Sequence, residues 1–217
     1  MSETKKIDIL SIQDPAFAKY GHIVLDCDFT GPLNWLRTYA TCPTNSVHYT
    51  ADEPELTTMA VIKQISQTYF GGANIQAGYC SGHTNATPAL EFHPYNGYEI
   101  IAAVSNTILV VAHTDDIQNG TIHSDHCEAF LLPADTAVIL RPEALHYAPN
   151  TAPGEKTFIT LVVLPAGTNV GESSESFKIG TTDIPFLVTN KVLLAREGSD
   201  EANSGAYVGL IGPMIVT

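Results

Sequence analysis

Between residues 74 and 165 one short apolar segment follows another, with no helix signal between them. The segments are "NIQAGYC", "ALEFH", "YEIIAAVS", "TILVVAHT", "EAFLLPADTAVILRP", "HYAPN" and "TFITLVVLP". Divided by Gly, Pro, Asn and Asp and rich in β-branched and aromatic residues, they read as strands. Strand following strand excludes a parallel βαβ sheet and favours antiparallel meanders and Greek keys, closed as a sandwich or barrel. The expected fold is therefore mainly all-β.

Helix signals are confined to the N-terminal part. In "DPAFAKYGHIV", Asp14 is a plausible N-cap before Pro15 at the first helical position, giving a short helix that ends near Gly21. "ELTTMAVIKQISQTYF" puts Met59, Ile62, Ile65 and Tyr69 at spacings of three or four, which predicts one longer helix. The tail, "KVLLAREG" and "AYVGLIGPMIVT", offers further strands that could close a sheet edge or pair with a second subunit, so a homodimer is expected. Without repeats or linker-like runs, the 217 residues read as a single domain: an arm over 1–73, a barrel core over 74–165 and C-terminal strands over 166–217.

Ten Lys and Arg against 23 Asp and Glu give a formal charge of -13. That balance repels phosphate backbones and anionic membranes, so neither nucleic acid nor a membrane is an expected partner. Apolar runs fall short of the roughly 18 residues that a spanning helix needs. "MSETKKIDIL" has no apolar segment of signal-peptide length, and the expected location is cytoplasmic. Cys27, Cys42, Cys80 and Cys127 are scattered with no CxxC pair, which fits buried reduced thiols.

Against this apolar background, "ALEFHPYNGYE", residues 89 to 99, carries two acids and a histidine. Residues two apart on a strand share a face, so Glu91 and His93 point one way and Leu90 and Phe92 the other. Read as a hairpin, a two-residue Asn96-Gly97 loop sends Glu99 to the opposite face, whereas a three-residue Tyr95-Asn96-Gly97 loop pairs it with His93. Gly97 would supply the left-handed residue of the longer loop. A further candidate, His146, follows the Pro142 turn in "RPEALHYAPN" and opens a short strand ending at Asn150. The competing reading is a polar surface hairpin.

These residues carry a resemblance. Glu91-Phe92-His93 followed by Glu99 resembles the first motif of the cupin superfamily, with glutamate in place of its first histidine. His146-Tyr147-Ala148-Pro149-Asn150 is similar to the ending of the second motif, Pro-x-Gly-x-x-His-x-x-x-Asn. Ala144 stands for the glycine, the turn is one residue shorter, and Glu99 lies slightly further on than usual. "DPAFAKYGHIV" and "EAFLLPADTAVILRPEALHYAP" also resemble ureidoglycolate lyase, and the fuller pattern, with "FGGANIQAGYCSGH", is similar to an uncharacterised bacterial cupin family of unknown function.

The resemblance implies a cupin-type double-stranded β-helix, or jelly-roll barrel, and one divalent ion held by Glu91, His93, Glu99 and His146. Two histidines and two carboxylates suit Zn, Mn, Fe, Ni or Co and leave positions open for a bidentate substrate. The expected function is that of a metal-dependent isomerase or lyase acting on a small sugar or hydroxy-carbonyl compound through a metal-stabilised enediolate. The alternatives are a cupin that binds a sugar or hydroxy acid without turnover, and a ureidoglycolate-type C–N lyase. His83 and Glu128 are candidate acid/base groups, and Gln76, Arg141, Tyr147 and Lys63 are candidate substrate contacts, although Lys63 also suits a solvated helix face. The dense cluster "HSDHCE", residues 123 to 128, reads as a polar β-turn rather than a second metal site.

Overall fold

Alternation along the strands decides which core each one serves. In the strand Glu99–Ala103, Ile100 and Ala102 face a helix-covered core, while Ile101 and Ala103 face the interior on the same side as Glu99. In Thr107–His113, Leu109 and Val111 join that interior core, and Ile108, Val110 and Ala112 turn to a third one. The computed structural model describes residues 3–217.

A six-stranded sheet runs in the order Gly21–Ile23, Ala137–Leu140, Glu99–Ala103, Phe158–Pro165, Ile75–Gly82, Val47–Thr50, and every pairing in it is antiparallel. Facing it is a sheet built on Thr107–His113 and Glu128–Leu132, with Ala144–Leu145 and Ile9–Ser11 at its edges. A four-stranded sheet, Ile122–His123, Tyr207–Ile211, Val192–Arg196, Ala89–Phe92, covers the far face of that middle layer through Leu90, Phe92, Val192, Leu194 and Leu210. The mainly β, double-sheet barrel expected from the sequence is what the chain forms, with few and short helices.

Helices pack on the outer face of the six-stranded sheet, where Leu33, Leu36, Leu56, Ile62 and Ile65 meet Ala77, Tyr79, Leu161 and Val163. The expected single helix over 55–70 is two, Pro54–Thr57 and Ala60–Tyr69, with Met59 as the extended N-cap of the second. A ten-residue helix at Thr30–Tyr39 escaped the sequence reading because Gly31 and Pro32 open it. Proline costs nothing in the first turn, where its missing N–H has no helical partner, so the apparent breaker is a starter. At the other predicted helix, Asp14 Oδ1 accepts from Ala16 N at 2.9 Å, and Pro15–Lys19 forms one 3-10 segment.

Two topological details differ from the expectation. Ala89–Phe92 and Glu99–Ala103 do not form a hairpin: the first pairs with Val192–Arg196 and the second with Ala137–Leu140 and Phe158–Pro165, so residues 93–98 carry the chain from one sheet to another. Parallel pairings also occur, and one of them, Val192–Arg196 with Tyr207–Ile211, is joined through the short helix Asp200–Asn203. The C-terminal strands lie inside the molecule's own sheets: Tyr207–Ile211 between Ile122–His123 and Val192–Arg196, and Met214–Val216 between Thr4–Lys6 and Ala86–Thr87. Neither presents the free edge on which the homodimer expectation rested.

Candidate metal centre

The sheet-to-sheet connection is what brings the four candidate ligands together. Glu91 comes from one sheet and Glu99 from the start of a strand in the other, and His146 meets Glu91 through an isolated antiparallel bridge. In that bridge Glu91 N donates to His146 O at 2.6 Å and His146 N donates to Glu91 O at 2.9 Å. His146 thus follows the short strand Ala144–Leu145 instead of opening one of its own. The turn is set by Asn96, whose φ is 51°, and not by Gly97. Gly97 is required for another reason: a Cβ there would lie 2.0 Å from the His93 carbonyl oxygen and 2.1 Å from the His93 Cβ.

All four side chains are buried, at relative exposures of 7% for Glu91, 1% for His93, 5% for Glu99 and 5% for His146. His93 Nε2 lies 3.7 Å from Glu91 Oε1 and 3.4 Å from Glu99 Oε2, and His146 Nε2 donates to Glu99 Oε2 at 3.0 Å. One ligand-type atom each of Glu91, His93 and His146 falls within 4.8 Å of the others. The outer nitrogens are committed: His93 Nδ1 donates to Asn190 O at 2.8 Å and His146 Nδ1 to Ala144 O at 3.1 Å. Such bonds fix ring orientation and turn Nε2 toward the centre, as in protein metal sites.

Because a carbonyl and a carboxylate can only accept, both nitrogens of His146 carry protons where those two hydrogen bonds are made. Burial disfavours that charge, but the Glu99 carboxylate outweighs it and lifts the His146 pKa to about 9. Burial likewise pushes the Glu99 carboxyl up, yet His146 and then His93 hold it well below the usual carboxylate range. His93 Nε2 is buried and has no hydrogen-bond partner. An unpartnered imidazole nitrogen facing two carboxylates fits a divalent ion, which would accept its lone pair.

Above the four residues opens a cavity of about 270 Å³ lined by Tyr49, Cys80, Ile101, Tyr147, Thr160, Val162, Asn169 and Lys191 among others. Lys191 Nζ forms an ion pair with Glu91 Oε2. Tyr49 accepts from Asn169 Nδ2 at 3.0 Å, and Tyr147 donates to Glu201 Oε1 at 3.1 Å. The Cys80 thiol is pushed up by burial and then by the charges of Glu91 and Glu99, so it stays protonated. That agrees with an inert thiol.

Of the candidate substrate contacts, Tyr147 lines the cavity. The others do not, and the reasons are physical. The Gln76 amide is consumed by the fold: its Nε2 donates to Thr168 O at 2.8 Å and its Oε1 accepts from Gly167 N at 2.7 Å. Arg141 and Lys63 are exposed, the latter on the solvent face of its helix. Of the acid/base candidates, His83 is exposed with Nδ1 on the Lys156 carbonyl at 3.0 Å, and Glu128 accepts a short hydrogen bond from Tyr20 outside the cavity lining. The sequence reading missed Lys191, Asn190, Asn169 and Tyr49; only "TNKV" hinted at the first two, as an Asn-Lys turn before a strand. The "HSDHCE" segment is a tight 3-10 turn capped by His123, and no second metal-type cluster occurs among the described residues.

Fold and site together define a mainly β barrel with a buried Glu/His centre beneath a small cavity. The chain belongs to the family described as domain of unknown function (DUF4867), whose model matches residues 9–215. No curated protein matches it. Solved structures of Bacillus subtilis oxalate decarboxylase are similar in part. The structure of that enzyme at pH 4.6 is 18% identical with a TM-score of 0.32, covering 46% of this chain and 23% of that one. Another, from work on its Mn(II) centres, is 17% identical with a TM-score of 0.33, covering 46% and 24%. The matched part thus spans about a quarter of those proteins' length.

Proposed function

We propose that the protein is a metal-dependent cupin enzyme, an isomerase or lyase acting on a small sugar or hydroxy-carbonyl compound. The observation that carries the metal reading is His93 Nε2, buried and unpartnered with Glu91 and Glu99 on either side. Glu91, His93, Glu99 and His146 would hold one divalent ion, from among Zn, Mn, Fe, Ni and Co. Bound there, the ion would supply Lewis-acid stabilisation of the negative charge that develops when a proton leaves the carbon beside a carbonyl.

The chain's own groups supply the rest. The cavity is of a size for a small sugar or hydroxy acid, and Ile101 and Val162 in its lining are buried. The Tyr49 hydroxyl accepts from Asn169 and so keeps its own proton free to donate toward a ligand oxygen. Burial, followed by the charges of Glu99 and Glu91, holds that phenol in its protonated form. Tyr49 lines the cavity as a proton donor and Lys191 as a charged anchor, whereas His83 and Glu128 lie outside its lining.

Protein purified without chelators is expected to hold close to one divalent ion per chain, and far less than one would overturn the metal centre. Binding without turnover is favoured by the displacement of His83 and Glu128 from the cavity. Deuterium exchange at the α-carbon of a bound hydroxy-carbonyl compound separates the two: exchange supports the enzyme, and its absence under saturating ligand supports the binder. Direct assay of ureidoglycolate tests the C–N lyase alternative.

A further inference from the structure

The charges around the centre point to the kind of molecule that completes it. Two carboxylates, Glu91 and Glu99, enter the site, and the histidines ligate an ion only as neutral rings. A divalent ion therefore uses up both negative charges. Lys191 remains, its side chain only 15% exposed and its ammonium against Glu91 Oε2, while Glu91 Oε1 faces His93. Glu91 thus stands between the ion position and the ammonium, and its single charge cannot neutralise both. The loaded cavity is left one positive charge in excess, and an unpaired charge on a side chain as buried as that of Lys191 is costly. A second unmet group lies in the same wall: Asn169 Oδ1 is buried without a hydrogen-bond partner, while its Nδ2 is held by Tyr49.

We infer that the ligand of this cavity is a small hydroxy acid or sugar acid anion, with its carboxylate on Lys191 and a hydroxyl donating to Asn169 Oδ1. This rests on the metal centre proposed above and chooses the acid over the neutral sugar. The chain's overall charge of -13 does not oppose it, because at contact distance an ion and an ammonium outweigh a diffuse, screened field.

The test uses the metal-loaded full chain and measures binding by calorimetry, with glycolate and gluconate as anionic probes and sorbitol as the neutral one. The acids should bind and sorbitol should be at least about tenfold weaker. K191M and K191Q should retain the metal stoichiometry and lose about tenfold or more in affinity for the acids; two variants are used because removing the partner of Glu91 could unfold one of them. Equal binding of sorbitol, or acid binding undiminished in a metal-loaded Lys191 variant, would overturn the inference and leave the metal centre standing. A wild-type chain that takes up no ion would overturn both.

Discussion

At the scale of single residues, protons and a metal ion compete for the same atoms. With its pKa raised from 6.5 to about 9, His146 contributes stability to the metal-free protein that is fully present below pH 6.5 and is lost as pH climbs through about 9. Glu99, held below its usual range, contributes stability present above pH 4.5 and lost as pH falls below it. Thermal denaturation of chelator-treated protein should therefore show Tm declining from neutral toward alkaline pH. An ion must displace the His146 proton, so metal affinity should move the other way, rising by up to about tenfold per pH unit between pH 6.5 and 9. Titration with a metal indicator at several pH values checks the slope, and a flat profile would mean that His146 is not a ligand. His93→Ala should abolish metal binding while circular dichroism shows the fold intact, because the apolar cores around the barrel do not depend on this ring.

At the scale of elements, the crossing over residues 93–98 and the turn at 188–191 set the ligand geometry between them. Asn190 holds φ at 54°, accepts from His93 Nδ1 through its backbone carbonyl, and clamps Tyr95 with both ends of its side chain, at 2.9 and 3.0 Å. Asn190→Ala loses the clamp and strains a left-handed position, so a cost of about 1–2 kcal/mol and a ten- to hundredfold loss of metal affinity, roughly, are expected. Asn190→Gly relieves the backbone and should recover part of the stability but not the clamp. Gly97→Ala puts a methyl into the His93 backbone and should cost about 1–3 kcal/mol by urea denaturation, with metal binding weakened as His93 shifts.

At the scale of the whole molecule, the C-terminal strands are structural. Tyr207–Ile211 sits in the interior of its sheet, and Leu210 and Ile215 are buried. Truncation before residue 207 would take a strand partner from each of Ile122–His123, Val192–Arg196, Thr4–Lys6 and Ala86–Thr87 and should yield a chain without a cooperative thermal transition. If the tail instead served a second subunit, the truncated chain would keep its own transition and change only its sedimentation coefficient. No described helix is long and apolar enough to cross a membrane.

The sequence by itself determined the strand class, because alternation and turn residues are local, and it put Glu91 and His93 on one strand face for the same reason, while the grouping of Glu99 and His146 with them was implied by the motif resemblance. It left the 89–99 register open between two hairpins, and the structure makes neither: strand partners are chosen by long-range burial, and Leu90 and Phe92 bury against Ile108, Val110 and Val192 rather than against their neighbours in sequence. Only the tertiary structure decided which polar groups reach the cavity. Glu128, His83, Gln76 and Arg141 had the right chemistry in the right neighbourhood of the chain, but their own hydrogen bonds or exposure carry them elsewhere. Lys191 and Asn169 arrive from loops a hundred and more than seventy residues beyond Glu91, Lys191 directly before the strand that pairs with Ala89–Phe92. No local pattern encodes that convergence, because it is set by the burial of side chains distant from it.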